Sequence, residues 1–96
     1  MSTVENVADV LDAAADMIVE CGWTQGAFED NGCFCLDGAI MRAKGVYDTL
    51  LELDYVRRTT GWPSAIMWND APERTQEEVV AKLREAAALA RQEQAA

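Results

Sequence analysis

Acidic residues recur at helical intervals along the first twenty residues of the chain. Intervals of four, three, four and four residues place all five on one face of an α-helix. These residues, called the acidic face below, are Glu5, Asp9, Asp12, Asp16 and Glu20. The opposite side of the same segment is apolar and carries Val7, Val10, Leu11, Ala14, Ile18 and Cys21. The pattern predicts an amphipathic helix that begins at a capping box in residues 2–5 and ends near Cys21, before Gly22.

The rest of the chain predicts short helices around one hairpin. Asn31-Gly32 indicates a β-hairpin, because both residues tolerate the positive φ angles of a tight turn. Helices are predicted over residues 36–44, closed by Gly45, over residues 47–58, and from a second capping box at residues 75–78. A single helical turn is predicted near residues 64–68, and residues 92–96 are expected to fray.

Together these segments predict one domain over residues 1–96. The expected fold is a compact, mainly α domain with a short β-hairpin, and an α+β fold is the minor alternative. The first and last helices are expected to pack their apolar faces on a common set of side chains. That set is Trp23, Phe28, Phe34 and Ile40.

The charge of the chain is acidic and unevenly distributed. Its 17 acidic and 8 basic residues give a net charge of −9, and residues 1–41 contain eight acids and no Lys or Arg. Binding to phosphates needs clustered Lys and Arg, so this composition argues against a direct nucleic-acid ligand. It favours a protein partner with a basic surface, because complementary fields steer association.

The sequence also predicts a cytoplasmic protein without membrane association. No apolar run reaches the roughly 18 residues that span a bilayer, and the N-terminal residues lack the pattern of a signal peptide. The chain contains no histidine, the commonest metal ligand among side chains. We therefore expect no cofactor and no metal ion.

Three sequence blocks point to a family. The first block is residues 13–18 together with Gly-Trp-Thr-Gln-Gly at 22–26. The second is Cys-Leu-Asp-Gly-Ala-Ile at 35–40. The third is Trp-Asn-Asp-Ala-Pro at 68–72 together with residues 74–79. Together they resemble a family of short uncharacterised proteins from actinobacteria and their bacteriophages, including mycobacteriophages. The resemblance implies a phage or actinobacterial origin and a cytosolic setting, and it implies no reaction.

The cysteines and tryptophans each allow two interpretations. Cys33 and Cys35 lie on one side of a strand, where they can be buried as small apolar residues or take part in metal or redox chemistry. Zinc normally needs four ligands, and only Cys21 remains. Trp68 can cover the core or form part of a partner surface, since Trp is enriched at binding hot spots.

The acidic face is the sharpest functional feature of the sequence. It can serve as a solubilising surface or as a docking surface for a basic partner. We expect a non-enzymatic, phage-encoded accessory protein that binds a host protein through the acidic face and Trp68. The alternatives are a DNA mimic that inhibits a nucleic-acid-binding protein and a small cysteine-dependent metal or redox protein. A homodimer is also compatible with the sequence.

Overall fold

The computed structural model describes residues 6–95, and these form five helices and a two-stranded antiparallel hairpin. The helices are α1 (Val7–Cys21), α2 (Leu36–Lys44), α3 (Leu50–Thr60), α4 (Ala65–Asn69) and α5 (Gln76–Ala95). The strands are β1 (Glu29–Asp30) and β2 (Cys33–Phe34). This architecture confirms the predicted mainly helical domain with a short hairpin.

Helix α1 ends where the sequence predicts and buries most of its apolar face. Asn6 caps its start, because the Asn6 side-chain oxygen accepts hydrogen bonds from the N–H groups of Ala8 and Asp9 at 2.9 and 3.3 Å. The predicted capping box at residues 2–5 lies outside the described residues. At the other end, the Gly22 N–H donates to the Ile18 carbonyl at 2.8 Å.

The core forms where α1 packs between α5 and α2, and α3 packs on α5. α5 contributes a stripe of completely buried side chains, namely Val79, Leu83, Ala86, Ala87 and Ala90. The prediction that Cys21 lies on the buried side of α1 is wrong, since Cys21 is exposed. The reason is that α5 begins beside Ile18, where Gln76 contacts the Ile18 carbonyl, so α1 extends about one turn beyond its neighbour. Within residues 6–95, no helix is long and apolar enough to cross a membrane.

The hairpin has the predicted Asn31-Gly32 turn and lies against α2. Asn31 and Gly32 both have positive φ angles, 53° and 80°. The contact with α2 requires Gly38, since a Cβ atom there would lie 2.0 Å from the Phe28 carbonyl oxygen. This contact uses the backbone of Phe28, and its side chain is left exposed, with the residue 56% accessible. The prediction that Phe28 lies in the core is therefore wrong.

The connection between α2 and α3 is longer than the sequence predicts. α2 has its predicted bounds, but α3 begins at Leu50 instead of Tyr47 and continues to Thr60 instead of ending at Arg58. Side chains of α2 hold the connecting segment out of the helix: the Lys44 ammonium donates to the Asp48 carbonyl, and Asp37 accepts from the Thr49 hydroxyl. Tyr47 is left 89% exposed.

Helix α5 begins at the predicted capping box. The Glu78 N–H donates to the Thr75 hydroxyl at 3.2 Å, and the Thr75 N–H donates to the Glu78 carboxylate at 2.9 Å. The helix continues to Ala95, into the segment where fraying is expected. There Glu93 accepts hydrogen bonds from Tyr55 and Arg58 of α3, which joins the end of α5 to the rest of the domain.

Candidate functional site

The acidic face of α1 lies along α5 and is joined to it by ion pairs. Arg84 contacts Asp12 at 3.0 Å and Asp16 at 2.5 Å. Arg91 contacts Asp9 at 2.9 Å and Asp12 at 2.8 Å. The structure therefore brings three of the predicted site residues together with two arginines that lie 68 to 82 residues further along the chain. We call these five residues the α1–α5 ion-pair network.

The network shifts the pKa of Asp12 and of the two arginines. Burial alone would raise the pKa of the Asp12 carboxyl, but the hydrogen bonds from Arg84 and Arg91 together outweigh burial and lower this pKa. The hydrogen bonds that both guanidinium groups donate to the aspartates raise the pKa of Arg84 and of Arg91. The pairs nevertheless remain in contact with water, because the side chains of Asp9 and Asp16 are 64% and 61% exposed.

The network leaves an excess of negative charge on this side of the molecule. Glu20 lies one turn beyond Asp16 and is exposed. Glu77 is also exposed and lies two turns before Arg84 on the same side of α5. Within residues 6–95, neither glutamate forms an ion pair. Five carboxylates thus face two guanidinium groups, and Glu5 lies outside the described residues.

Trp68 lies in the core and not at the surface. It is 4% exposed, and the Arg74 guanidinium lies 4.1 Å from the centre of its ring. The Arg74 side chain also donates to the Trp68 carbonyl at 2.8 Å. The structure agrees with the first interpretation of Trp68, in which the indole covers the core, and the Arg74 guanidinium lies over the ring.

Asn69, directly after Trp68, is at the centre of a buried polar cluster. Its side-chain oxygen accepts from the Trp23 indole N–H at 2.8 Å and from the Leu36 N–H at 3.1 Å. Its amide nitrogen donates to the Thr24 carbonyl at 3.4 Å and to the Asp70 carboxylate at 2.9 Å. Asn69 is 1% exposed, so this one side chain satisfies all its hydrogen-bonding capacity inside the protein.

Three further hydrogen bonds join the same segments. The Gln25 amide donates to the carbonyls of Asn69 and Ala71 at 2.9 and 2.8 Å, and the Gly26 N–H donates to the Asp70 carboxylate at 3.2 Å. We call Trp23, Gln25, Asn69 and Asp70 the Asn69 cluster. Residues from all three sequence blocks meet there, since Leu36 belongs to the second block. Sequence reasoning identified the blocks but missed Asn69 as the residue that joins them.

An open apolar groove lies between the hairpin and α2. It has a volume of about 510 Å³ and its floor includes Phe34 and Met41. Phe28, Val46 and Tyr47 form its exposed apolar rim, and Glu29 and Arg42 are its charged residues. Sequence reasoning missed this groove because its rim comes from loops whose exposure depends on the tertiary fold.

A family match covers nearly the whole of this structure. Residues 2–89 match the family of unknown function DUF6197. The chain belongs to the DUF6197 family. No curated protein and no solved structure matches it. The matched span includes the Asn69 cluster, the groove and Arg84, so each of these belongs to the family domain.

The cysteines of this DUF6197 chain have separate environments. Cys35 is buried at the start of α2, where its sulfur accepts from the Gly38 N–H at 3.3 Å. Burial raises the pKa of the Cys35 thiol, which disfavours the reactive thiolate. Cys33 is partly buried and contacts the Cys21 carbonyl at 3.4 Å. Within the described part of the chain, no group of three His, Cys, Asp or Glu residues is arranged to hold a metal ion.

Two acids of the DUF6197 domain are buried between α2 and α3. Glu52 is completely buried; one of its oxygens contacts the Lys44 ammonium at 3.1 Å, and the other has no hydrogen-bond partner within residues 6–95. Asp37 is 5% exposed and accepts from the Thr49 hydroxyl at 2.7 Å. Burial raises the pKa of Asp37, and the Thr49 hydrogen bond opposes this in part.

Proposed function

We propose that this DUF6197 chain is a non-enzymatic accessory protein that binds a partner with a basic surface through the acidic face of α1. The observation that carries the proposal is the excess of exposed carboxylates over guanidinium groups along α1 and α5. Exposed carboxylates keep most of their hydration and can exchange one cation for another at small cost. A basic partner can therefore add its own Lys or Arg to Asp16 and Glu20.

The setting of this function follows from the family resemblance. The motif blocks resemble proteins of actinobacteria and their bacteriophages, which supports a phage-encoded protein that acts on a host protein in the bacterial cytoplasm. The Cys35 thiol supports a role without cysteine chemistry, because it caps a helix and its raised pKa keeps it protonated.

The arginines of the network favour protein docking over mimicry of DNA. A DNA duplex presents phosphates without cations fixed among them. Here Arg84 and Arg91 lie between the carboxylates of α1, so the charge pattern alternates. An alternating pattern suits a protein surface that carries both signs, and it gives a partner specificity through matched and mismatched pairs.

The test uses charge changes that spare the network arginines. We would compare the native protein with a variant that carries Asp16→Asn and Glu20→Lys, because Arg84 then still has Asp12 as its partner. The matched control carries Asp54→Asn and Asp30→Lys, which gives the same change of charge on other surfaces. Tagged proteins are incubated with nuclease-treated actinobacterial lysate at low and moderate salt.

The expected result is a stoichiometric basic partner that the native protein and the control retain and the α1 variant loses. Its retention should fall as salt rises, because the contact is electrostatic. The proposal is overturned if the α1 variant retains the same partner, or if no protein is retained while all three proteins are folded. Displacement of the partner by added duplex DNA would support the mimic instead.

A further inference from the structure

The rim of the apolar groove is unusually exposed for side chains of its size. Tyr47 is 89% exposed, Phe28 is 56% exposed and Val46 is 51% exposed. The first residues of α3, which follow in the sequence, are exposed as well, with Leu50 at 78% and Leu51 at 54% exposure. Exposed apolar side chains grouped around a groove are typical of an interaction site.

Arg42 is exceptional among the cations of the chain. Among the described residues, seven of the eight Lys and Arg side chains form ion pairs, and Arg42 does not. Its guanidinium lies 5.8 Å from the centre of the Phe34 ring on the floor of the groove. In a chain with a net charge of −9, this guanidinium is therefore free to pair with a carboxylate of another molecule.

Glu29 is the complementary charge in the same groove. It lies opposite Phe34 in the hairpin register, so the acid and Arg42 both neighbour one ring. Glu29 is exposed and, within residues 6–95, forms no ion pair with Arg42 or any other cation. Among the residues that line the groove, one acid and one base are therefore without an ion-pair partner in the described part of the chain.

We propose that a second copy of this chain covers the groove in a two-fold symmetric dimer, with Glu29 of each copy paired to Arg42 of the other. In such an interface every contact between residues i and j occurs twice, so the surface must be complementary to itself. A patch with one charge of each sign meets this condition, whereas a patch with a single sign would repel its copy. Exposed Tyr and Phe are among the residues enriched in interfaces.

The groove is separate from the surface of the proposed function. The acidic face of α1 does not line the groove, so this inference is independent of the proposed function.

Charge reversal in two variants tests the dimer. We would measure the mass of the purified full chain by sedimentation equilibrium across a range of concentrations, for the native protein, Arg42→Glu and Glu29→Arg. Each single change turns both attractive contacts of the dimer into repulsive ones and should raise the dissociation constant by about tenfold or more. Arg57→Glu and Glu73→Arg are matched controls at exposed positions outside the groove and should leave it unchanged.

The decisive sample is an equal mixture of the two single variants. The Arg42→Glu chain has two acids in its groove and the Glu29→Arg chain has two bases, so both contacts of a heterodimer become attractive and dimers should return. Pairing within one chain cannot produce this rescue by mixing. The proposal is overturned if the native protein is monomeric at all concentrations, or if the variants dimerise as the native protein does. It is also overturned if mixing folded variants restores nothing.

Discussion

The Asn69 cluster and the α1–α5 ion-pair network both join segments that are far apart in sequence, but they do so by different physics. The cluster connects residues 33 to 46 positions apart through hydrogen bonds to a side chain that is 1% exposed. The network connects residues up to 82 positions apart through charged groups, three of which are at least half exposed. Water competes more strongly for the second set of contacts than for the first.

The difference shows that a region with more contacts does not necessarily contribute more to the free energy of unfolding. A buried donor that loses its acceptor costs about 1–3 kcal/mol, because water cannot replace the lost partner. An exposed ion pair contributes about 0.2–1 kcal/mol, because water hydrates both ions when they separate. The Asn69 cluster should therefore stabilise the fold, whereas the network remains available to bind other ions.

The largest effect is expected for Asn69→Leu, which keeps the approximate volume and removes the polar groups. The Trp23 indole N–H and the Leu36 N–H would both lose their acceptor in the interior. We expect a decrease of about 3 kcal/mol in the free energy of unfolding, since one buried and one partly buried donor are left unpaired. Urea denaturation followed by tryptophan fluorescence measures this decrease.

Asp70→Asn serves as the control for that experiment. It keeps an acceptor oxygen for the Gly26 N–H and for the Asn69 amide, so the loss should stay below about 1 kcal/mol. A loss of less than about 1 kcal/mol for Asn69→Leu would contradict the role of the cluster. Such a result would mean that apolar packing alone stabilises these loops.

Asp37→Asn tests how much the buried negative charge of Asp37 affects the stability of the fold, because asparagine is uncharged. Burial raises its pKa in the folded protein above the ordinary value. A raised pKa means that the protonated acid favours folding and that this contribution is lost as pH rises through the folded-state pKa. Ionised Asp37 is therefore an unfavourable buried charge, which asparagine removes while keeping an acceptor for Thr49.

We expect Asp37→Asn to raise the melting temperature at pH 7 by on the order of 3 °C. The difference should vanish near pH 3, where the native Asp37 is protonated as well. Thermal unfolding at the two pH values measures it, with exposed Asp30→Asn as the control. A lower melting temperature for Asp37→Asn at pH 7 would show instead that the carboxylate itself is required, for example at the start of α2.

Local signals in the sequence predict most of the fold. Asn31-Gly32 determines a turn by the conformations its two residues accept, and Thr75 with Glu78 forms a cap within one helical turn. Gly45 ends α2 in the left-handed conformation. Each of these signals acts over four residues or fewer, so a single sequence is enough to detect it.

The remaining features depend on contacts between distant segments. The sequence predicts too early a start for α3 because Lys44 and Asp37 hold residues 48 and 49, and helical periodicity carries no information about those contacts. Trp68 suits core and surface equally well in the sequence, and only the contact with Arg74 distinguishes them. Spacing along α1 places the aspartates on one face, but it cannot reveal that Arg84 and Arg91 lie beside them.

The smallest effect is expected for Arg84→Met, which keeps much of the apolar stem and removes the charge. Asp12 would keep its ion pair with Arg91, and Asp16 would lose its ion pair and be hydrated by water instead. We expect a loss of less than about 1 kcal/mol in the free energy of unfolding. This loss should shrink as salt rises to about 0.5 M, because added ions screen the exposed charges. Urea denaturation at low and high salt measures both.

Arg57→Met provides the comparison, since Arg57 pairs only with Asp54 on its own helix among the described residues. Similar losses for the two variants would mean that a pair between α1 and α5 stabilises the fold no more than a local one. The carboxylates of α1 would then be free to exchange Arg84 for a cation of a partner. A loss above about 2 kcal/mol for Arg84→Met that persists at high salt would contradict this and make the network a structural element comparable to the Asn69 cluster.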